Sequence, residues 1–301
     1  MRSIRVCLVM LCLGLLVAMQ PGCGAKPKKK KSAKDNFQAA AKIADARRRA
    51  NRMLEIAQQQ KDQGKVGDAS KSVGAGIDAA GKVKDLYERC RILNRAIYIY
   101  NGIGYGHRID EPLKAVAGVV EEIEDLANRI EIGAQLAEIY KKFMDKNSTS
   151  ELYLEDCEKW AAEIESLDGG VRALMVIAYY CQRLDYEEER DRLVTAALEK
   201  ATAVEDARAQ ADMYGELGTR LRRLNREDQA GEAFAIAEEG ANAVEEGLSR
   251  AYALLDLAQR LKASGDGTGS GRLLDAAEKI AEGESEGAIR RELLDKIRAQ
   301  R

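Results

Sequence analysis

A period of about forty residues constrains this chain more than any other feature. A small residue recurs at Ala57, Ala96, Ala137, Ala178, Gly218 and Ala258, at spacings of 39, 41, 41, 40 and 40. Nineteen residues after each lies a second small position in five of the six units: Gly76, Ala115, Ala197, Ala237 and Ala277; the third unit has Cys157 at twenty. Two ladders in step mean a chain of similar units, each too small to bury its apolar face alone and stacked on its neighbours to do so.

The residues around each ladder have helical spacing. Counted from the first small residue, positions −4, −3, −1 and +3 are mostly apolar, as in Leu174, Met175, Ile177 and Cys181 or Leu254, Leu255, Leu257 and Leu261. That is one face of a 3.6-residue helix. Leu193, Val194 and Ala197 match Leu273, Leu274 and Ala277 in the second helix of a unit. Small residues let two backbones approach, so each ladder marks a helix crossing. With only three prolines and 5% aromatic residues, little favours a sheet. Between the two helices, Asp185 with Glu188 and Asn225 with Asp228 read as N-cap pairs, and Ser148 with Glu151 as a capping box. Asp110-Glu111-Pro112 starts the second helix of unit two. The sequence thus predicts helix pairs over 46–85, 86–125, 126–167, 168–206, 207–247 and 248–287, closed by a half-unit at 288–301.

This pattern resembles the tetratricopeptide-like superfamily. Its small–small contact and its Ala, aromatic, Ala pattern in the second helix stand here as Ala230, Phe234 and Ala237. That family repeats at 34 residues and this chain near 40, and no Trp-Leu-Gly-Tyr signature occurs in the first helices. The resemblance covers about 46–301. It implies an all-α, right-handed α-solenoid of about six helix-turn-helix repeats with a general binding role.

The N-terminus is a different kind of segment. Arg2 and Arg5 precede an uncharged apolar run from Val6 to Met19. A permanent span needs roughly 20 apolar residues, so 1–22 reads as a signal peptide. Gln20-Pro21-Gly22-Cys23 resembles the lipobox of bacterial lipoproteins, which implies lipidation at Cys23; Gly22 fits, while Gln20 and Pro21 depart from the usual pattern. Cleavage after Ala25, releasing a soluble protein, is the alternative. Residues 23–34 then form a lysine-rich tether ahead of a solenoid at 35–301. The chain has 48 Lys and Arg against 50 Asp and Glu. Eight of the basic residues, and no acid, fall in the first 34, which leaves the body at 40 against 50, a formal −10. The basic stretch suits anionic lipid headgroups or a solvated spacer, and an acidic body on an exported chain argues against nucleic acid.

Chemistry-bearing residues are sparse. His107 is the one histidine, in Gly104-Tyr105-Gly106-His107, so no metal ligand set or Ser-His-Asp array is expected; the segment reads as a turn or as a ligand loop using Tyr105 and His107. The glycine-rich 264–271 has one carboxylate, too few for calcium. Runs such as Glu187-Glu188-Glu189 read as solvated helix faces. Cys157 and Cys181 flank the Asp168-Gly169-Gly170 turn at equal height, which leaves open a disulfide or two buried thiols. Position +2 of the first helices holds Tyr98, Tyr180, Arg220 and Arg260, residue types enriched at interfaces, and a ridge of them would be a partner surface.

No catalytic residue, cofactor or metal is expected, and the chain reads as no enzyme. The expectation is an envelope lipoprotein, lipid-anchored to a bacterial membrane, that acts as a protein–protein scaffold or assembly factor for envelope partners. The alternatives are a structural spacer, or a ligand- or glycan-binding module using the Tyr98–His107 region.

Overall fold

The computed structural model describes residues 33–285 and 287–301; the signal-peptide segment, Cys23 and the lysine run up to Ser32 lie outside them. Among the described residues there are fourteen α-helices and no strand. They are α1 (Ala33–Ala41), α2 (Ala46–Asp62), α3 (Val66–Ala80), α4 (Leu86–Gly102), α5 (Asp110–Ala117), α6 (Leu126–Met144) and α7 (Asn147–Ala162). Then follow α8 (Leu167–Arg183), α9 (Glu187–Ala201), α10 (Ala207–Arg223), α11 (Glu227–Ala243), α12 (Gly247–Ala263), α13 (Gly267–Gly283) and α14 (Ala288–Gln300). The chain is an α-solenoid. Helices pair as α2 with α3, α6 with α7, α8 with α9, α10 with α11 and α12 with α13, and each first helix also packs on the first helix of the next unit.

Both ladders lie where the apolar faces meet. Ala57, Ala96, Ala137, Ala178 and Ala258 are wholly buried, as are Cys157, Ala197, Ala237 and Ala277. Ala115 is the exception: it is exposed, and its neighbour Val116 fills the core instead. The second helix of unit two is reached through a longer loop that holds a 3-10 turn at Gly106–Arg108, and its buried position falls twenty residues after Ala96, as Cys157 falls twenty after Ala137. The two ends are closed by single helices. Leu293 and Ile297 of α14 are buried against the last pair, and Ala40 of α1 packs with Met53 and Ile56 of α2.

The helix ends carry two further ladders that the capping expectation misplaced. Asp185 and Asn225 do not cap the following helices. They sit in the left-handed region at φ 59° and 56°, just past the end of a first helix, and Gly64, Gly104, Asp145 and Gly265 occupy the same place in the other units. Beyond each such residue the next N–H reaches back to a carbonyl in the last turn of the helix, as from Tyr186 to Cys181 and from Arg226 to Leu221. This is a Schellman-type ending, and it needs positive φ, which glycine supplies freely and Asn or Asp tolerates. The expected Ser148–Glu151 box is also not formed, because α7 begins at Asn147 with no side-chain cap. Apart from Asp266, which caps α13 by accepting from the Gly269 N–H at 2.8 Å, the side-chain caps belong to the first helices. Asp45, Asp85, Asp125, Asp206 and Glu246 each accept from the N–H three residues on. Arg49, Arg89 and Arg129 then tie the inter-unit turn, donating to the carbonyls of Ile43, Val83 and Ile123 at 2.7–2.8 Å. That arginine staple recurs at forty-residue spacing in the first three units, is absent at Gly170 and Gln210, and satisfies a carbonyl that the turn would leave without a partner.

Cys157 and Cys181 are both buried and both free thiols, so the bridge that the spacing leaves open is not made. The Cys157 thiol donates to the Ile130 carbonyl at 3.5 Å. Burial pushes the Cys181 thiol up to about 12 and the Cys157 thiol higher still, which keeps both protonated and inert.

Candidate partner-binding groove

The first helices lie side by side, with polar residues on the face opposite their small-residue ladder. There α2, α4, α6 and α8 enclose a groove of about 490 Å³. Its lining is largely polar, and the polar groups are arranged in chains. On α4, Tyr87 donates to Glu131 of α6 at 2.7 Å, Asn94 to Gln135 at 2.7 Å, and Tyr98 to Glu138 at 2.6 Å. These partners are 44, 41 and 40 residues apart, so the ladder of hydrogen bonds is the repeat period itself read across two units. Gln135 also donates to Glu131, at 3.2 Å.

Glu138 anchors this wall. It is only 2% exposed and accepts from Tyr98, from Lys142 at 3.0 Å, and from Arg183 of α8, whose Nε lies at 2.9 Å. Burial alone would raise its pKa, but the hydrogen bonds from Tyr98, Arg183 and Lys142 outweigh that and hold the carboxyl below its usual range. Burial, with the carboxylate partners nearby, pushes Tyr87 and Tyr180 up to about 12 and Tyr98 further. All three tyrosines are neutral hydrogen-bonding groups near neutral pH. A carboxylate with a depressed folded pKa stabilises the fold above its unfolded pKa, about 4.3, and that contribution is lost as pH falls through the folded value. Glu138→Gln should therefore lower stability near neutral pH and flatten the fall in unfolding midpoint below about pH 5. Urea midpoints between pH 7 and pH 3 test this, and parallel curves for the two proteins would rule it out.

The expected ridge at position +2 is only partly a shared surface. Tyr98 and Tyr180 do line the one groove, both half-buried. Tyr98 packs edge-on against Phe143, with ring centres 5.2 Å apart. Arg220 lies apart, held by Glu216 at 2.7 Å in a smaller cleft of about 220 Å³ between α8 and α10. Arg260 is half-buried with its stem across Gly215 of α10, where a side chain at 215 would meet its Cδ at 3.0 Å. Ile139, at the same position, is fully buried, and Gln59 is exposed. Position +2 is therefore mainly where neighbouring first helices meet. Tyr105 and His107 stand together on the loop after α4, with rings 5.5 Å apart, His107 exposed and Tyr105 half-buried. Neither lines the groove that Tyr98 lines.

Asn94, Glu131, Gln135, Glu138 and Arg183 were not among the residues singled out from the sequence. The signal was present at position −2, where Glu55, Asn94, Gln135, Glu216 and Asp256 recur with only Val176 breaking the series. In a single helix such residues look like a solvated stripe. Only the neighbour 40 residues away turns them into a wall.

No family model and no curated protein matches the chain. Among solved structures, the nearly identical TPR-like repeats from Podosopora anserina are similar at 14% identity, over 81% of this chain and all of that one, with a TM-score of 0.30. A single-substitution variant of those repeats gives the same identity and score over 79% and 96%. The Ton1535 protein from Thermococcus onnurineus is similar at 16% identity over 88% of this chain and 83% of that one, with a TM-score of 0.29. At such scores the likeness carries no argument; the solenoid assignment rests on this chain's own helices. What the fold and groove define is a helical-repeat protein with a polar groove across four of its first helices.

Proposed function

We propose that the chain is an envelope lipoprotein, anchored through Cys23, whose solenoid acts as a protein–protein scaffold. One observation carries the binding part of this reading: four successive first helices build a continuous groove in which tyrosine, arginine and amide side chains are held in fixed positions by inter-unit hydrogen bonds. Pre-positioned Tyr and Arg groups lose little entropy when a partner arrives, and these types dominate binding energy at interfaces. A spacer would not need such a groove, whereas its ends, closed by α1 and α14, suit either role. Anchoring rests on the sequence alone, since Cys23 lies outside the described residues, and no helix of the described residues is long and apolar enough to cross a membrane.

Crosslinking from native membranes, followed by mass spectrometry, tests the proposal. A specific partner is expected with the wild type, with crosslinks on α4, α6 and α8. Tyr98→Ala should reduce its recovery while leaving helical circular dichroism unchanged, and Cys23→Ser should move both proteins out of the membrane fraction. Recovery of no partner would favour the spacer. An unchanged membrane fraction with Cys23→Ser would overturn the anchor.

A further inference from the structure

The charges of the array are sorted by layer. The first helices of the units, α2, α4, α6, α8, α10 and α12, together with α14, carry 24 Lys and Arg against 11 Asp and Glu, a formal +13. The second helices, α3, α5, α7, α9, α11 and α13, carry 8 against 21, a formal −13.

Intrachain pairing does not cancel this excess. Ion pairs mostly join groups of one layer, as Arg172 with Glu216 in the first and Arg192 with Glu158 in the second. Those that cross are few: Arg222 with Glu227, and Arg301, just past α14, with Asp275 and Glu278. What is left over is accessible. Arg48, Arg95 and Arg223 on first helices, and Glu155, Glu199 and Glu239 on second helices, are exposed and have no ion-pair partner among the described residues. Solubility does not require such sorting, because interspersed charges of both signs serve it as well.

We propose that a second copy of this chain covers the first-helix face, laying its second-helix layer against it. The proposal rests on reading the first-helix face as the binding face, and it names what binds there. Charge complementarity selects the occupant, since the two excesses are equal and opposite and each extends over all the units. Both layers belong to one array, in which each first helix is followed by its second. A copy laid on another in the same direction therefore meets basic helix with acidic helix over several units, whereas an unrelated acidic protein would match only locally. Single exposed ion pairs are weak and screened by salt, so it is their number along the array that holds the copies together. The contact uses different faces on the two copies. It is heterologous, and it continues into a stack unless its rotation closes a ring.

The test is sedimentation velocity of the full chain in a nonionic detergent. At about 0.01 M salt, where the screening length is about 30 Å, the mass should grow with concentration to about twice that of the single chain or more. At about 1 M salt, where that length is about 3 Å, it should return to the single chain. Two charge-reversed variants give the decisive comparison. Arg48→Glu, Arg95→Glu and Arg223→Glu together spoil the first-helix face; Glu155→Lys, Glu199→Lys and Glu239→Lys together spoil the second. Each variant alone should stay single. Their equimolar mixture should form a one-to-one dimer, because each supplies the face that the other has lost, and that dimer also shows that both variants fold. A wild type that stays single at low salt, association that survives high salt, a variant that associates as the wild type does, or a mixture that stays single overturns the proposal. So does a single chain that binds phosphatidylglycerol vesicles instead, which assigns the basic face to lipid. The scaffold reading fails separately. A different protein crosslinked to α4, α6 and α8 of a chain that stays single removes the stack and keeps the scaffold. Crosslinks that join only copies of this chain keep the stack and remove the scaffold.

Discussion

Truncating Leu136 to alanine should destabilise the array by about 2–5 kcal/mol, the range for a large aliphatic side chain lost from a packed core. Leu136 is fully buried in α6, among Ile132, Ala137 and Ile139 of the same helix, which are also fully buried. The helix itself is held between its own partner α7 and the first helices α4 and α8. In a solenoid each unit contacts only its neighbours, so a defect in the third of six units weakens the coupling between the two halves. Urea unfolding followed by circular dichroism should show a lower midpoint and a broader or biphasic transition. The same truncation at Leu294, 9% exposed on the closing helix, should cost less and leave the transition single. A loss below about 1 kcal/mol at Leu136 would mean that the seam between units is not the main source of stability.

The second large effect concerns the one glycine in the first ladder. A Cβ placed on Gly218 would come within 2.8 Å of two ring carbons of Phe234. The other five units have alanine at this position, and where the second ladder keeps its register they place an aliphatic residue, Val73, Val194 or Leu274, at the site equivalent to Phe234. Glycine and phenylalanine are thus a matched pair: the ring takes up the space that a methyl group would fill. Gly218→Ala gains about 1 kcal/mol of helix propensity and meets an overpacking cost of about 1–3 kcal/mol. The decisive measurement is the double-mutant cycle with Phe234→Leu. Leucine should accommodate the alanine methyl, giving a favourable coupling of about 1–3 kcal/mol. Strict additivity of the two substitutions would show that the ring does not depend on that glycine. Gly133 presents the same logic in unit three, where a Cβ would meet the Trp160 ring and the Cys157 sulfur, each at 2.8 Å.

Local chemistry made the unit plan readable. Ladder residues recur because each faces the same neighbour in each unit, and a run such as Leu254, Leu255, Leu257 and Leu261 can bury only one helical face. The starts of the first helices are equally present in the chain, in Asp45, Asp85, Asp125 and Asp206, but Asp185 and Asn225 look alike in sequence because Asp and Asn serve two opposite purposes. The same side chains that cap an N-terminus also tolerate a left-handed backbone past a C-terminus, and the glycines at 64, 104 and 265 identify which role applies here. Ala115 differs for another reason: the longer connection ahead of α5 moves the buried position to Val116, and a count of small residues does not reveal a one-residue shift.

What the sequence determined by itself, then, is the repeat: its length, the two helices of each unit, the faces they bury, and the half-unit that closes the array. These depend on residues within one helical turn or one unit of each other. The groove was decided by the tertiary structure. Asn94 and Gln135 are 41 residues apart and Tyr98 and Glu138 are 40 apart. Each alone is an ordinary polar residue on a helix surface. Only the stacking of first helix on first helix withdraws them from water and pairs them across two units.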